Sequence, residues 1–262
     1  SLLWVVDKTK TAMGKRMLRS WIERPLVNAA KITKRQNAVG ELLDNSVLRD
    51  EIREALSGIN DMERLMSRIA YSTANAKELR SLSAMITPLP VIKNALCVCT
   101  SSMLKTICNN IDLLEDVKEL VDNAIVDEPP FSVREGGIIK QGFNNEIDEL
   151  REIVQGGANL LADIEAREKE KTGIPKLRVS YNKVFGYFIE VTNSYKDMVP
   201  EEYIRKQTLT NCERYITQEL KDLEGKVLGA KDRLVALEYE IFAGVRTQIS
   251  AEVERIQRTA KA

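Results

Sequence analysis

Histidine is absent from this 262-residue chain. That removes the commonest general base, the commonest metal ligand and any triad built on imidazole. Cysteine is sparse: Cys97, Cys99, Cys108 and Cys212. Cys97 and Cys99 form C-x-C rather than the C-x-x-C of a zinc site, and no second pair follows. The four read as reduced thiols of a cytoplasmic (cytosolic) protein. Aromatic residues are 5% of the chain, with 13 Gly and 7 Pro, too few of the latter for a disordered or collagen-like polymer. Lys+Arg and Asp+Glu both number 39, so no global field draws in nucleic acid or membrane, and any such contact must come from a local patch. No run of about 18 apolar residues is present, so no membrane span is expected. The opening SLLWVVDKTK lacks the basic start and apolar core of a signal peptide. Ser1 in place of Met suggests a piece of something larger.

What the chain does contain is 44% hydrophobic and 30% charged residues, a mixture suited to long amphipathic helices with solvated faces. Its length exceeds the usual prior of roughly 100–200 residues for one domain. Residues 1–125 read as helices joined by short turns. Met13, Met17, Leu18, Trp21 and Ile22 recur at helical spacing, and Pro25 ends that helix. Ile52, Leu56 and Ile59 continue the pattern, and Asn60-Asp-Met-Glu63 resembles a capping box. Thr87-Pro-Leu-Pro90 and Asp127-Glu-Pro-Pro130 are breaks, and Val133 to Gly142 reads as short strands.

Two heptad seams follow. One is Phe143, Ile147, Leu150, Val154, Gly157, Leu161, Ile164; the other is Leu220, Leu223, Val227, Ala230, Leu234, Leu237, Ile241. Thr172-Gly173, with Pro175 beyond, stops the first, and the second starts after Thr217. Between them lies a different texture. Lys176 to Tyr181 alternates, Tyr187 to Val191 is a strong strand, Asn182 to Gly186 joins the two as a hairpin, and Tyr203 to Cys212 reads as a third strand. The predicted fold is mainly α: a multi-helix bundle from which a long antiparallel helix pair carries a small antiparallel β-sheet at its tip. A seam of about 28 residues spans about 40 Å.

From Thr172 to Ile189 the charged residues are Lys176, Arg178 and Lys183; from Tyr203 to Cys212 they are Arg205 and Lys206, with no acid in either stretch. Asn182, Thr208, Thr210 and Asn211 add neutral hydrogen-bonding groups. Such a mixture suits phosphate contact without base readout. It equally suits a solvated tip whose lysines blunt sheet edges. Single-strand stacking is disfavoured, because Tyr187 and Phe188 are adjacent on one strand and face opposite sides. Signs of an enzyme are lacking. Gly14-Lys15 and Gly225-Lys226 are not phosphate loops. Carboxylates such as Glu168 and Glu170 read as a solvated helix face. Cys212 without His reads as a buried thiol, and Met13, Met17, Met62 and Met66 as core packing. A module whose tip binds protein remains the rival to one that binds DNA.

Thr11-Ala-Met-Gly-Lys-Arg-Met-Leu-Arg-Ser-Trp, closing at Pro25-Leu26, resembles the segment that opens the core helices of the MutS family of DNA mismatch repair proteins. Asp61-Met-Glu-Arg-Leu and Arg68 resemble that family's next core helix. Tyr181-Asn-Lys-Val-Phe-Gly-Tyr-Phe-Ile-Glu-Val and Tyr203-Ile-Arg-Lys-Gln-Thr-Leu-Thr-Asn-Cys-Glu-Arg-Tyr-Ile resemble its clamp. The resemblance covers essentially the whole chain. It implies a lever or core domain over 1–157 and 218–262, with the clamp over 158–217. It implies a clamp that grips the backbone of double-stranded DNA without reading sequence, and lever helices that couple the grip to a distant ATPase absent from this chain. It therefore implies no enzyme activity and no cofactor here, with ATP and Mg2+ bound by the full-length protein. The implied backbone contacts are Asn182, Arg205, Lys206, Asn211 and Arg214, with Lys183 a further candidate; Thr210 stands where some members carry Lys. Phe188-Ile-Glu190 matches the family's mismatch-reading string but lies in a clamp strand, where the match is chance. The implied partners are a second copy in a homodimer and a downstream repair protein of the MutL type, with no membrane.

Overall fold

The computed structural model describes residues 2–182, 184 and 186–262, with the backbone alone of Ala158. The chain divides into two compact units, one of residues 1–140 and 239–262, the other of residues 141–238. The expected clamp range, 158–217, lies inside the second unit, which extends further along both flanking helices.

The first unit is helical. Helices α1 (Leu2–Val6), α2 (Ala12–Glu23), α3 (Ala29–Asp44), α4 (Ser46–Ser57) and α5 (Met62–Ala70) are followed by α6 (Ala76–Ile86), α7 (Leu89–Cys97), α8 (Ser102–Asn110) and α9 (Glu115–Ala124). Polar caps start several of them: Thr11, Asn28, Asn45, Asp61 and Ser101 each accept a hydrogen bond from the backbone N–H three residues on. The cap of α5 is Asp61 alone; the reciprocal capping box expected at Asn60–Glu63 occurs instead at Asn75 and Glu78. Met62, Met66, Ile69, Leu79, Leu82 and Ile86 are buried in the core. Met17, by contrast, is 42% exposed; with Met13 it borders an apolar cavity of about 520 Å³ rather than filling a core. Val133–Glu135 is a 3-10 turn, and the strands expected up to Gly142 reduce to one bridge, Ile125 to Ile139. Ion pairs tie helix to helix: Arg16 to Asp61 and Glu63, Arg80 to Asp122.

The second unit is built on α10 (Asn145–Thr172) and the first part of α11 (Gln218–Ala251); α12 (Val253–Lys261) returns to the first unit. α10 and α11 run antiparallel. Arg167 pairs with Glu219 near one end, Gly157 meets Val227 midway, and Arg151 pairs with Glu238 further along. Gly157 is required by that approach, since a Cβ there would overlap the Val227 side chain. Gly173, at φ +68, caps α10 in the left-handed region that glycine favours.

The sheet has four antiparallel strands: β1 (Arg178–Asn182), β2 (Gly186–Thr192), β3 (Ile204–Thr208) and β4 (Cys212–Ile216), in the order β1-β2-β4-β3. The strand expected over Tyr203–Cys212 ends at Thr208, because the chain reverses at Leu209–Asn211 and Cys212 opens a further strand, β4. Alternation along β2 sends Ile189 and Val191 onto a cluster with Ile164 of α10, Leu220 of α11, Ile174, Leu177, Tyr203 and Tyr215. Each aliphatic side chain fully buried there contributes about 1.5–3 kcal/mol. Glu168 is only 6% exposed, not on a solvated face as expected, and its carboxylate accepts from the Tyr203 hydroxyl at 2.6 Å.

Gly156 and Gly157 are neighbours in α10 with opposite surroundings: a Cβ at 156 meets nothing, one at 157 meets Val227. Gly156→Ala should stabilise by about 1 kcal/mol through helix propensity. Gly157→Ala should cost about 1–3 kcal/mol through overpacking. Thermal unfolding followed by circular dichroism checks both; two changes of the same sign would contradict the close crossing.

Candidate nucleic-acid interface

The order of strands makes β3 one edge of the sheet and β1 the other. Along β3 the register is Ile204 opposite Ile216 and Arg205 opposite Tyr215, then Gln207 opposite Arg214 and Thr208 opposite Glu213. Lys206 is therefore the extra residue of a β-bulge, opposite none of β4. In a regular strand Arg205 and Lys206 would point to opposite faces. The bulge resets the alternation and re-aims the pair. The Arg205 side chain is 63% exposed, and Lys206 is exposed as well.

The turn after β3 continues the polar edge. Leu209 N–H donates to the Cys212 carbonyl, Asn193 N–H to the Asn211 carbonyl, and the Asn193 amide to the Thr210 carbonyl. These bonds use the backbone of the turn, while Thr210 and Asn211 stay exposed. Asn193, which opens the 3-10 turn Asn193–Met198, is a positioning residue not singled out in the sequence. The one signal for it was an amide residue two positions after the expected strand Tyr187–Val191.

The other expected residues have different settings. Arg214 lies one strand in from the edge, in a row across the sheet formed by Arg178, Glu190, Arg214 and Gln207. Its guanidinium donates to Glu190 at 3.2 Å and to Gln207 at 3.0 Å, and it stacks over Phe188 at 4.5 Å. It thus covers an aromatic ring and bridges three strands. Asn182 ends β1, and its side-chain oxygen accepts from Val184 N–H at 2.8 Å, shaping the hairpin turn. Lys183 lies outside the described residues. The structure thus places Arg205, Lys206, Thr210 and Asn211 along the β3 edge and the turn that follows it, while Asn182 belongs to the opposite edge strand.

Behind Arg205 stands Glu213, 9% exposed. It accepts from Arg205 at 3.4 Å and from the Tyr215 hydroxyl. These partners, Tyr215 first, hold its carboxyl below the ordinary 4.5, with Lys196 helping. Burial and the bond to Glu213 push the Tyr215 phenol up to about 12. Chemically the edge offers cations and amide donors on a backbone fixed from behind. That arrangement can neutralise and hold phosphate oxygens.

The pH dependence follows from both shifts. Glu213, lowered on folding, contributes stability that is complete above 4.5 and lost as pH falls through its lower folded value. Tyr215, raised, contributes stability that is complete below 10 and lost as pH rises towards about 12. The difference in thermal midpoint between the wild type and Tyr215→Phe should therefore be constant between those limits and narrow on either side. A difference that ignores pH would show that the hydroxyl does not bond a carboxylate.

A family model described as MutS domain III matches residues 1–262. The DNA mismatch repair protein MutS of Lachnoclostridium phytofermentans is 55% identical over 262 residues, covering 100% of this chain and 28% of that protein. The protein of the same name from Acetivibrio thermocellus is 50% identical over 261 residues, covering 100% of this chain and 30% of its own length. That of Clostridium botulinum (Loch Maree) is 51% identical over 262 residues, again covering 100% of this chain and 28% of its own. The chain thus spans about three-tenths of the length of these relatives. With its helices and four-stranded sheet described and its whole length matched, the chain belongs to the MutS family, as a domain III.

Proposed function

We propose that this chain is the DNA-gripping and coupling part of a mismatch-repair ATPase. The edge of the sheet contacts the backbone of duplex DNA without reading sequence. The observation that carries the proposal is the β3 bulge, which sets Arg205 and Lys206 together in solvent on an edge strand. Cations there neutralise phosphates and release counterions; log K then falls by about 0.9 per phosphate for each tenfold rise in salt. Two or three contacts per copy give weak binding, and two copies on one duplex supply avidity. A homodimer in the cytoplasm, with a downstream partner of the MutL type, is the assembly this reading implies.

The helices α10 and α11 are the coupling element in this proposal. If nucleotide elsewhere in the protein biases their arrangement, DNA at the sheet biases nucleotide affinity by the same factor. The sequence holds no phosphate loop, and the described residues hold no cluster of three or more metal-ligating side chains. In this reading ATP, Mg2+ and hydrolysis belong to parts of the longer protein outside this chain.

The test is fluorescence anisotropy of a labelled duplex at several salt concentrations. Binding should be equal on perfect and mismatched duplexes. Arg205→Ala combined with Lys206→Ala should weaken it and reduce the salt slope by about 2. Unchanged affinity and slope in that variant would instead favour a sheet that docks on protein.

A further inference from the structure

The first unit holds a thiol pair that the sequence does not place together. Cys97 ends α7 and Cys108 lies in the last turn of α8, eleven residues on. Their sulfurs are 2.8 Å apart. Cys99, the neighbour in the C-x-C string, turns away: it is 3% exposed, and its thiol donates to the Ala95 carbonyl of the preceding helix, α7. The two members of the close pair differ in access. Cys97 is exposed, whereas Cys108 is 5% exposed and its thiol lies 3.6 Å from the Lys93 carbonyl. Neither is in a disulfide.

The framework around the pair fixes the approach. α7 and α8 pack together, joined by the short connection Val98–Ser101. Glu41 of α3 accepts from Thr100 N–H, from the Thr100 hydroxyl and, at 2.8 Å, from Ser101 N–H. Ser101 in turn caps α8. The bend between the helices is thus anchored from outside, and the two sulfurs meet without needing the chain to search. A disulfide needs about 2.05 Å between sulfurs, so closing the bond takes a shift smaller than an ångström from 2.8 Å.

We propose that Cys97 and Cys108 form a thiol-oxidation site, which a low-molecular-weight disulfide converts to an intramolecular disulfide. The exposed Cys97 thiolate attacks one sulfur of the oxidant, forming a mixed disulfide and releasing one thiolate. Cys108 then gives up its proton and attacks the Cys97 sulfur, forming the protein disulfide and releasing the second thiolate. The protein loses two electrons and two protons, and the oxidant becomes two thiols. Burial, with the hydrogen bond to Cys97, holds the Cys108 thiol above its ordinary pKa, and the nearby Lys93 works against that. Cys108 is thus suited to the second, intramolecular step, for which proximity replaces high thiolate content. The bond closes the loop 97–108 around the Ser101 cap and fixes the corner that Glu41 grips.

The test treats the native protein with oxidised glutathione, unfolds it, alkylates the free thiols and weighs it. Reduced protein takes up four alkyl groups, one per cysteine; oxidised protein should take up two, with no glutathione retained. Cys97 and Cys99 fall in one tryptic peptide, so variants assign the bond. Cys99→Ser should still form it, and Cys97→Ser should not. Four alkyl groups after oxidation, glutathione retained on Cys97, or loss of the bond in Cys99→Ser would each overturn the proposal.

Discussion

The buried hydrogen bond from Tyr203 to Glu168 is the contact on which the arrangement of the second unit depends. A carboxylate 6% exposed on α10 is costly to remove from water unless a donor meets it. Tyr203 meets it at 2.6 Å from the residue just before β3. A hydrogen bond to a charged group contributes about 1.5–3 kcal/mol, and this one has direction as well. It specifies which part of the sheet lies over which turn of α10, where the apolar cluster of Ile164, Leu177, Ile189 and Leu220 supplies most of the attraction but little register. Because Tyr203 leads into β3, the same contact determines where the edge bearing Arg205 and Lys206 begins.

A second layer of the same kind lies nearer the surface. Tyr215 and Glu213 share a proton-donor bond directly behind Arg205, and Tyr203 and Tyr215 have ring centroids 6.0 Å apart. Apolar packing, a buried charge and a surface cation thus follow one another outward through the sheet. The long, part-buried ion pair of Arg205 with Glu213, at 3.4 Å, adds little stability of its own. Its consequence is to keep a long cationic side chain near one position, which reduces the entropy lost when a phosphate binds.

Much of this was legible in the sequence. The heptad spacing gave both long helices, and Thr172-Gly173 gave the end of α10, because periodicity and a glycine cap are local signals. The β1–β2 hairpin followed from alternation on either side of the short joining segment Asn182–Gly186, whose last residue, Gly186, opens β2 at φ +75. Three things were not legible. The chain reversal at Leu209–Asn211 carries no Gly or Pro, so the expected strand ran on to Cys212 and β4 was not anticipated. The bulge at Lys206 is a property of pairing, which a single strand does not reveal. Glu168 looks like any carboxylate on a charged helix until the sheet that covers it is placed. In the candidate site, charge and residue type single out Arg205, Lys206 and Asn211 in the sequence, and the structure places them on β3 and the turn after it. That Arg214 bridges strands, and that Asn193 pins the turn, depended on cross-strand partners.

In the proposed function the β3 edge and its turn are the surface that meets duplex DNA. Hydrogen–deuterium exchange of the protein with and without a duplex measures that directly. The account predicts added protection over residues 193–214, the same for duplexes of unrelated sequence, and little change in the buried β2. Protection confined to the first unit, or protection that depends on the base sequence, would contradict it.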